Sequence, residues 1–316
     1  MNIIYLPIIE PGAQHEIAIL NKRGLYTALA SAGHSVVEYD YLARPRIYLM
    51  DELTRLFEMF DPDLVISQLH GADVITPTQL TILRLVQPHT KWVNWAGDAH
   101  KHTYLNPDML ALSRLFDWQL LPVPSLVPLL QAENVNAAYW QIGYEPPVRS
   151  LPDLPRHDIV FLGNAYSQQR RDMFAMMRGL PYDVGIYGDW EHADGHNTYD
   201  FAAGEALYLG ATLAIADHTK VDGLDYISNR PIQIMAAGGA LCLHQRVDTM
   251  EAIAGWKNGI HYIEWTDLDD LREKIVYWMR TETIIARDKM TIAAHKQVMK
   301  EHTFEARVRE LFEKWV

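Results

Sequence analysis

The residues whose types and spacing suggest chemistry most directly lie in segment 228–244, SNRPIQIMAAGGALCLH. Its pattern predicts a buried helix that starts at polar residues, stops at two glycines and leads into an apolar strand. Ser228 or Asn229 can cap this helix, and the free backbone N–H groups of its first turn favour an anion. Arg230 adds a guanidinium whose donors match phosphate oxygens. We therefore predict a phosphate site, with Arg230 contributing charge to it and not to the core; the alternative is an ordinary capped helix.

A strand pattern at 259–265 and an Asp-rich helix start at 266–271 follow this segment. The order and spacing resemble the nucleotide-sugar half of a GT-B glycosyltransferase, and more narrowly the CgeB-like group of spore-maturation glycosyltransferase-like proteins. That group has the pattern Asn-x-Arg-x-x-Glu, whereas Asn229 here directly precedes Arg230, and Gln233 replaces the acidic residue that would hold the ribose. Glutamine can still donate and accept hydrogen bonds to a diol. The resemblance implies that Ser228, Asn229, Arg230 and Gln233 bind the donor nucleotide.

Two other loops of the second half follow predicted strands and resemble elements of the same family. Gly163 and Asn164, with Arg170 a turn later, resemble a small loop that approaches the diphosphate; a plain turn is the alternative. Tyr187-Gly188-Asp189-Trp190 resembles a loop near the nucleobase, which assigns Tyr187, Gly188 and Trp190 to the donor site, although Trp190 could instead fill the seam between domains. The segment 217–225 would face the sugar, but its aspartates could equally be turn residues.

In the first half, polar residues follow predicted strands at positions suited to acceptor chemistry. The segment 94–100 resembles the family's Trp-x-x-Asp element, which places Asp98 at the cleft between domains. A glycosyl transfer needs a base for the acceptor proton or groups that stabilise the departing diphosphate. The candidates are Asp98, His70, His100 and His15, each of which could instead be a positioning or structural residue.

Short apolar runs alternate with helical patterns in both halves, which predicts parallel sheets with right-handed crossovers. The fold class is therefore α/β with two doubly wound Rossmann-like domains, the GT-B architecture by resemblance. The proline-rich stretch 146–155 separates an acceptor domain at 1–145 from a nucleotide-sugar domain at 156–300. Residues 301–316 are expected to form a helix that returns to the first domain. The apolar spacing suited to this docking is that of Phe304, Val308, Leu311, Phe312 and Trp315.

Within this pattern, the residue types predict the limits of individual elements. We predict, for example, strands at 35–41, 64–69 and 137–142 and helices at 16–32 and 50–60, the last stopped by Asp61-Pro62.

Composition excludes several other classes. The net charge of −12 is shared by both halves, so neither half has the basic composition of a nucleic-acid-binding module. The single cysteine, Cys242, lies in an apolar pattern, and no metal-ligand spacing, phosphate-binding Walker loop or dinucleotide fingerprint is present. We therefore expect neither metal nor cofactor. No apolar run is long enough to cross a bilayer and no signal-like segment is recognisable, so a cytoplasmic protein is expected.

The resemblance, together with these exclusions, implies a metal-independent glycosyltransferase of the hexosyltransferase type. Its donor would be a nucleotide-diphosphate sugar, with a UDP-sugar as first choice, and its acceptor an unidentified hydroxyl. One alternative is a DNA glycosyltransferase that acts on a hydroxymethylated pyrimidine, for which duplex affinity would depend on salt. Another is a noncatalytic sugar-nucleotide-binding or coat-assembly protein, which would bind nucleotide without turnover.

Overall fold

A computed structural model describes residues 1–7, 24–42, 45–97, 101–144, 150–165, 167–188, 193–195, 201–218 and 225–316, without the side chains of residues 101, 102 and 201. The chain divides into two compact units. The first unit consists of Met1–Gly143, Lys220–Tyr226 and Phe304–Val316, and the second of Tyr144–Thr219 and Ile227–Thr303.

The described part of the first unit is built on a parallel sheet with the strand order β2-β1-β3-β4-β5-β6. Its strands are β1 Asn2–Leu6, β2 Ser35–Glu38, β3 Leu64–Ser67, β4 Lys91–Trp95, β5 Trp118–Leu121 and β6 Ala137–Tyr139. Its helices are α1 at 24–31, α2 Arg46–Phe60, α3 Pro77–Val86, α4 Lys101–Tyr104, α5 Pro107–Ser113 and α6 Val127–Ala132, with a short 3-10 turn at Pro124–Leu126. Because all these strands are parallel, their carboxyl ends lie at one edge of the sheet.

The chain's last helix completes the core of the first unit. This helix, α13, spans Phe304–Lys314, and Phe304, Val308 and Leu311 are buried in one apolar layer with Tyr5 and Trp95 of the sheet. Phe312 and Trp315 pack against the same layer. The expected return of the C-terminal helix to the first domain is therefore confirmed.

The described part of the second unit contains a parallel sheet with the order β11-β10-β9-β7-β8. Its strands are β7 Ile159–Leu162, β8 Val184–Tyr187, β9 Leu213–Ala216, β10 Leu241–Gln245 and β11 Ile263–Trp265. Its helices are α7 Gln168–Arg178, α8 Phe201–Gly210, α9 Asn229–Ala237, α10 Met250–Ala254, α11 Leu268–Trp278 and α12 Ile284–Glu301, with a 3-10 turn at Thr281–Thr283.

The double glycine after α9 ends the helix and allows close packing, as the sequence predicts. Gly238 adopts a left-handed conformation (φ 72°), which glycine tolerates better than other residues. A Cβ on Gly239 would lie 2.5 Å from Cα of Leu209 and 2.7 Å from the carbonyl oxygen of Tyr208. These two atoms are backbone atoms of α8, so only glycine fits where the chain passes this helix.

Several predicted elements end earlier or begin elsewhere than the apolar pattern indicates. The strand predicted at 64–69 ends at Ser67 because the side chain of Asn94 takes both backbone polar groups of Leu69, at 2.8 and 3.0 Å. The strands predicted at 35–41 and 137–142 end at Glu38 and Tyr139, where pairing to β1 and β5 stops. The predicted helix at 50–60 begins at Arg46. Of the helix predicted at 16–32, residues 16–23 lie outside the described residues, and the described part is helical over 24–31.

Candidate functional site

The functional candidates of the second unit gather at the edge where its strands end. β7, β9 and β10 are parallel, so the loops after Leu162, Ala216 and Gln245 leave the sheet on the same side. The buried indole of Trp265 donates from Nε1 to the carbonyl oxygens of Ala216 and Leu243, at 3.2 Å each. This shared donor ties the ends of β9 and β10 together directly before the loop that leads to α9.

Three charged side chains form a buried ionic cluster at this edge: Arg170 of α7, Asp217 directly after β9 and Arg230 of α9. Arg170 donates from Nε to Oδ2 of Asp217 at 2.6 Å and from Nη2 to Oδ1 at 2.9 Å. Arg230 donates from Nη1 to the same Oδ1 at 2.7 Å. The side chains are 3%, 7% and 13% exposed, in chain order.

Electrostatics keep the carboxyl group of this cluster ionised. Burial by itself would raise the pKa of Asp217, but Arg230 and Arg170 outweigh that effect and hold the pKa below its usual range. The ionic cluster therefore carries two positive charges and one negative charge.

Arg230 is largely buried and bonds the end of β7, so the prediction that it contributes charge only to a helix start needs correction. Its Nε donates to the carbonyl oxygen of Leu162 at 2.5 Å. Its Cζ lies 4.7 Å from the ring centroid of Phe161, within the range of a cation–π contact. The cause is Asp217, whose buried carboxylate requires compensating partners. The sequence pattern allowed Asp217 to be an ordinary turn residue.

Gly163 lies between two backbone carbonyls that these arginines hold. Arg230 bonds Leu162 as described, and Nη1 of Arg170 donates to the carbonyl oxygen of Asn164 at 2.8 Å. Gly163 has φ 156°, and a Cβ there would lie 2.5 Å from Nη2 of Arg230 and 2.9 Å from the ring of Phe161. A side chain at this position would therefore displace the guanidinium.

The first turn of α9 differs in detail from the predicted cap. Ser228 occupies the N-cap position with extended backbone (φ −70°, ψ 170°), but its side chain accepts no capping hydrogen bond. Asn229 is the first helical residue, and Gln233, half-buried, follows Arg230 on the next turn. The side chain of Ser228 therefore does not satisfy the backbone N–H groups of this first turn.

Sequence reasoning missed His244, which lies at the end of β10 beside the cluster. The side chain is fully buried, and burial together with His218 lowers the pKa of His244 to about 3. Its Nδ1 donates to the carbonyl oxygen of Gln245, and its ring is nearly parallel to that of His218, with centroids 6.3 Å apart. His244 is therefore neutral and adds no charge to the ionic cluster. A polar residue inside an otherwise apolar strand pattern was the only sequence signal for it.

Tyr187 and Gly188, the predicted nucleobase loop, lie at the end of the edge strand β8. The phenol of Tyr187 is 2.8 Å from Nε2 of His157, whose Nδ1 is 3.0 Å from Oδ2 of Asp183. Gly188 donates its N–H to the carbonyl oxygen of Gly195 at 2.9 Å. The hydroxyl of Tyr187 is thus engaged within the second unit, while its ring is half-buried.

In the first unit, a buried amide network sets the loop that carries His70. Oδ1 of Asn94 accepts from Oγ of Ser67 and from the N–H of Leu69, both at 2.8 Å, and Nδ2 donates to Oε1 of Gln119 at 3.0 Å. Asn94, Ser67 and Gln119 are fully buried. The half-buried His70 follows directly, so the geometry of its backbone is fixed by the end of β4.

Four predicted site residues lie outside the described residues: His15, Asp98, His100 and Trp190. Within the described ranges, no three His, Cys, Asp or Glu side chains are grouped as a metal site would require. No helix in that part of the chain combines the length and apolarity of a membrane span.

Comparison with known families identifies the class of protein. A family model described as "Glycosyl transferase-like" matches residues 148–313, which is more than half of the chain. The chain belongs to this glycosyl transferase-like family. No curated protein matches the sequence.

Solved structures similar to this glycosyl transferase-like protein cover nearly its whole length. Sucrose-phosphate synthase from Thermosynechococcus elongatus has a TM-score of 0.66 at 13% identity, covering 99% of this chain and 98% of its own. HepE from Anabaena in complex with UDP has a TM-score of 0.63 at 11% identity, with 99% of each chain covered. A glycosyltransferase from Rickettsia africae has a TM-score of 0.59 at 11% identity, covering 99% and 97%. The fold is that of the GT-B glycosyltransferases.

The family match and the ionic cluster concern the same part of this glycosyl transferase-like protein. Residues 148–313 include Arg170, Asp217 and Arg230 as well as the whole of α9. The acceptor-side candidates of the first unit precede the matched residues.

Proposed function

We propose that this protein transfers a sugar from a nucleotide-diphosphate sugar, with a UDP-sugar as first choice, to a hydroxyl acceptor. The observation that carries the proposal is the buried ionic cluster beside the start of α9, because its charges do not balance. Two guanidiniums face one carboxylate, and the neighbouring His244 is neutral.

An excess of positive over negative charge within a buried cluster favours an anionic ligand. Burying a charge without a partner is costly, and the N-terminus of a helix adds a further positive potential. A diphosphate supplies both the charge and the oxygen acceptors that such a position lacks. Structures of HepE in complex with UDP and with UDP-glucose support UDP as the first nucleotide to test.

The donor site follows from these positions. The diphosphate would bind Nη2 of Arg230 and the first N–H groups of α9, next to Gly163 and Asn164. Gln233 would bond the ribose hydroxyls. The loop with Tyr187, Gly188 and Trp190 would contact the nucleobase.

The transfer itself needs two kinds of assistance. As the bond forms between the acceptor oxygen and the anomeric carbon, the bond from that carbon to the phosphate oxygen breaks, and the departing diphosphate takes the electron pair. The positive charge at Arg230 stabilises this developing negative charge. A base takes the acceptor proton, with Asp98 as first candidate before His70, His100 and His15.

The assignment of residues 1–145 to the acceptor, the assignment of residues 156–300 to the donor and the bounds 301–316 of the returning helix are part of the proposal. So are the CgeB-like grouping and metal-independent hexosyl transfer in the cytoplasm, which rest on the sequence.

A ligand screen followed by a turnover assay tests the proposal. Thermal unfolding of the full chain is measured with UDP, GDP, dTDP and their glucose derivatives, because a ligand of the folded state raises the melting temperature. Release of nucleotide from the sugar donor is then measured with and without hydroxyl acceptors, including duplex DNA that contains hydroxymethylated pyrimidine. Stabilisation by a nucleotide sugar and release of its nucleotide support the proposal. Binding without turnover would favour the noncatalytic alternative, and absence of nucleotide binding would refute the donor site.

A further inference from the structure

Arg170 and Arg230 look equivalent in the sequence, but their hydrogen bonds differ in the structure. All three guanidinium nitrogens of Arg170 donate within the cluster, two to the carboxylate of Asp217 and one to the carbonyl oxygen of Asn164. Arg230 uses Nε for the carbonyl oxygen of Leu162 and Nη1 for Asp217. Its Nη2 has no acceptor among the residues that the structure describes. Among the described residues, every guanidinium nitrogen of Arg170 is thus already engaged, whereas Nη2 of Arg230 remains available to a ligand.

Asp217 determines where those remaining donors point. Its Oδ1 accepts from Nη1 of Arg230 at 2.7 Å, and its own carbonyl oxygen lies 3.3 Å from the same nitrogen. Because the guanidinium is planar, fixing Nε and Nη1 also fixes Nη2. Nη2 is held beside Gly163, 2.5 Å from the point where a Cβ would lie.

Asp217 is itself held from two directions. Arg170 grips both carboxylate oxygens in a bidentate pair, which is the most directional ion pair available to side chains. The preceding carbonyl of Ala216 is bonded by the buried indole of Trp265. Neither the backbone nor the side chain of Asp217 can shift without breaking one of these bonds.

The geometry points to Asp217 as a positioning residue: with Arg170 as its anchor, it holds Nη2 of Arg230 beside Gly163 for one phosphate group of the donor. Arg170, which the sequence predicts to bind the donor, instead bonds the carboxylate of Asp217 and the carbonyl oxygen of Asn164. This inference rests on the proposed function, since the phosphate is that of a nucleotide diphosphate.

If Asp217 has this positioning role, its neutralisation should change UDP affinity in the direction opposite to the one that charge alone predicts. An acidic residue next to a phosphate site ordinarily weakens anion binding, so its neutralisation should strengthen it. Asp217→Asn removes one negative charge but also removes the ionic bond that orients Arg230. If orientation dominates, the variant binds UDP more weakly although the site has become more positive.

The experiment measures UDP affinity by calorimetry for the full chain and for Asp217→Asn. We expect affinity to fall by about tenfold or more, the usual effect of one lost charge-assisted hydrogen bond. The matched control is Asp172→Asn, which removes the same charge from an exposed position on α7 and should leave UDP affinity unchanged. Equal or tighter binding of UDP by Asp217→Asn would overturn the inference.

Two further measurements separate positioning from general support of the fold. Uridine lacks phosphates, so its affinity at millimolar concentrations should not change in Asp217→Asn if only Arg230 is misplaced; an equal loss for uridine would overturn the inference. In the double variant with Arg230→Ala, UDP affinity should equal that of Arg230→Ala alone, because Asp217 acts through Arg230. Additive losses would show that it does not.

A second variant keeps the test decisive if Asp217→Asn fails to fold. Arg170→Lys retains the charge but loses the planar fork that anchors Asp217, so UDP should again bind more weakly while uridine is unaffected. UDP binding equal to that of the parent would overturn the inference. A parent chain that binds no nucleotide would refute the proposed function itself, and the inference with it, whereas failure of the inference alone leaves binding by the parent intact.

Discussion

Arg230→Ala is the perturbation for which the structure gives the clearest magnitude, because its effects on folding and on ligand binding can be measured separately. In the variant, Asp217 keeps both bonds from Arg170 and is not left as an uncompensated charge. The loss to folding is then that of hydrogen bonds to a charged group, about 1.5–3 kcal/mol in the free energy of unfolding. Removing a sole partner of a buried charge would cost about 3–5 kcal/mol. At about 2–4 °C per kcal/mol, a loss of about 2 kcal/mol lowers the melting temperature by roughly 4–8 °C.

The variant should also bind the nucleotide donor more weakly. A phosphate that loses one charge-assisted hydrogen bond loses about 1.5–3 kcal/mol of binding, or about 10- to 150-fold in affinity. Thermal unfolding without ligand and calorimetry with UDP measure the two effects on the same preparation. Arg171→Gln is the control, since the partners of this exposed arginine among the described residues are Gln168 and the carbonyl oxygen of Ala165. A folded Arg230→Ala variant with the UDP affinity of the parent would show that the phosphate does not bind here.

Further changes test the same site and the acceptor side. Gly163→Ala should weaken UDP binding about as much as Arg230→Ala, because the new Cβ would collide with Nη2, and it should cost about 1–3 kcal/mol of stability through its backbone angle; an unchanged melting temperature would contradict this. Gln233→Glu should keep or strengthen nucleotide affinity if this side chain bonds the ribose, whereas loss of affinity with loss of stability would indicate that a carboxylate is not tolerated there. Asp98→Asn should lower turnover by about 100-fold or more with nucleotide affinity nearly unchanged if Asp98 is the base, and equal turnover would direct attention to the histidines. Finally, the pKa of Asp217 is lowered in the folded protein, so its stabilisation is present above about pH 4 and is lost as pH falls through the folded pKa; acid unfolding of Asp217→Asn should therefore depend less on pH in that range.

The architecture was predictable from the sequence because parallel sheets leave a strong local signal. Strands buried on both faces read as short apolar runs, such as 213–216 and 241–245, and helices between them carry their own start and stop residues. The double glycine after α9 could be read directly, since one position needs a left-handed backbone and the other a missing side chain. The strand end at Ser67 could not be read, because Asn94, distant in sequence, takes the backbone groups of Leu69.

For the candidate site, residue types predict phosphate binding, but they do not show how the residues share their hydrogen bonds. Two arginines near loops after strands indicate affinity for phosphate whatever their contacts, and this part of the prediction needed no tertiary information. Which arginine retains free donors depends on the acceptor that lies between them, and that acceptor is Asp217, an aspartate at the end of an apolar strand where turn residues are also common. Each guanidinium nitrogen of Arg170 donates to the carboxylate or to the turn, whereas Nη2 of Arg230 has no acceptor in the part of the chain that the structure describes. The sequence motif therefore predicts the neighbourhood of a phosphate site, whereas the proposal that one arginine binds the ligand and the other supports it depends on the hydrogen bonds of both.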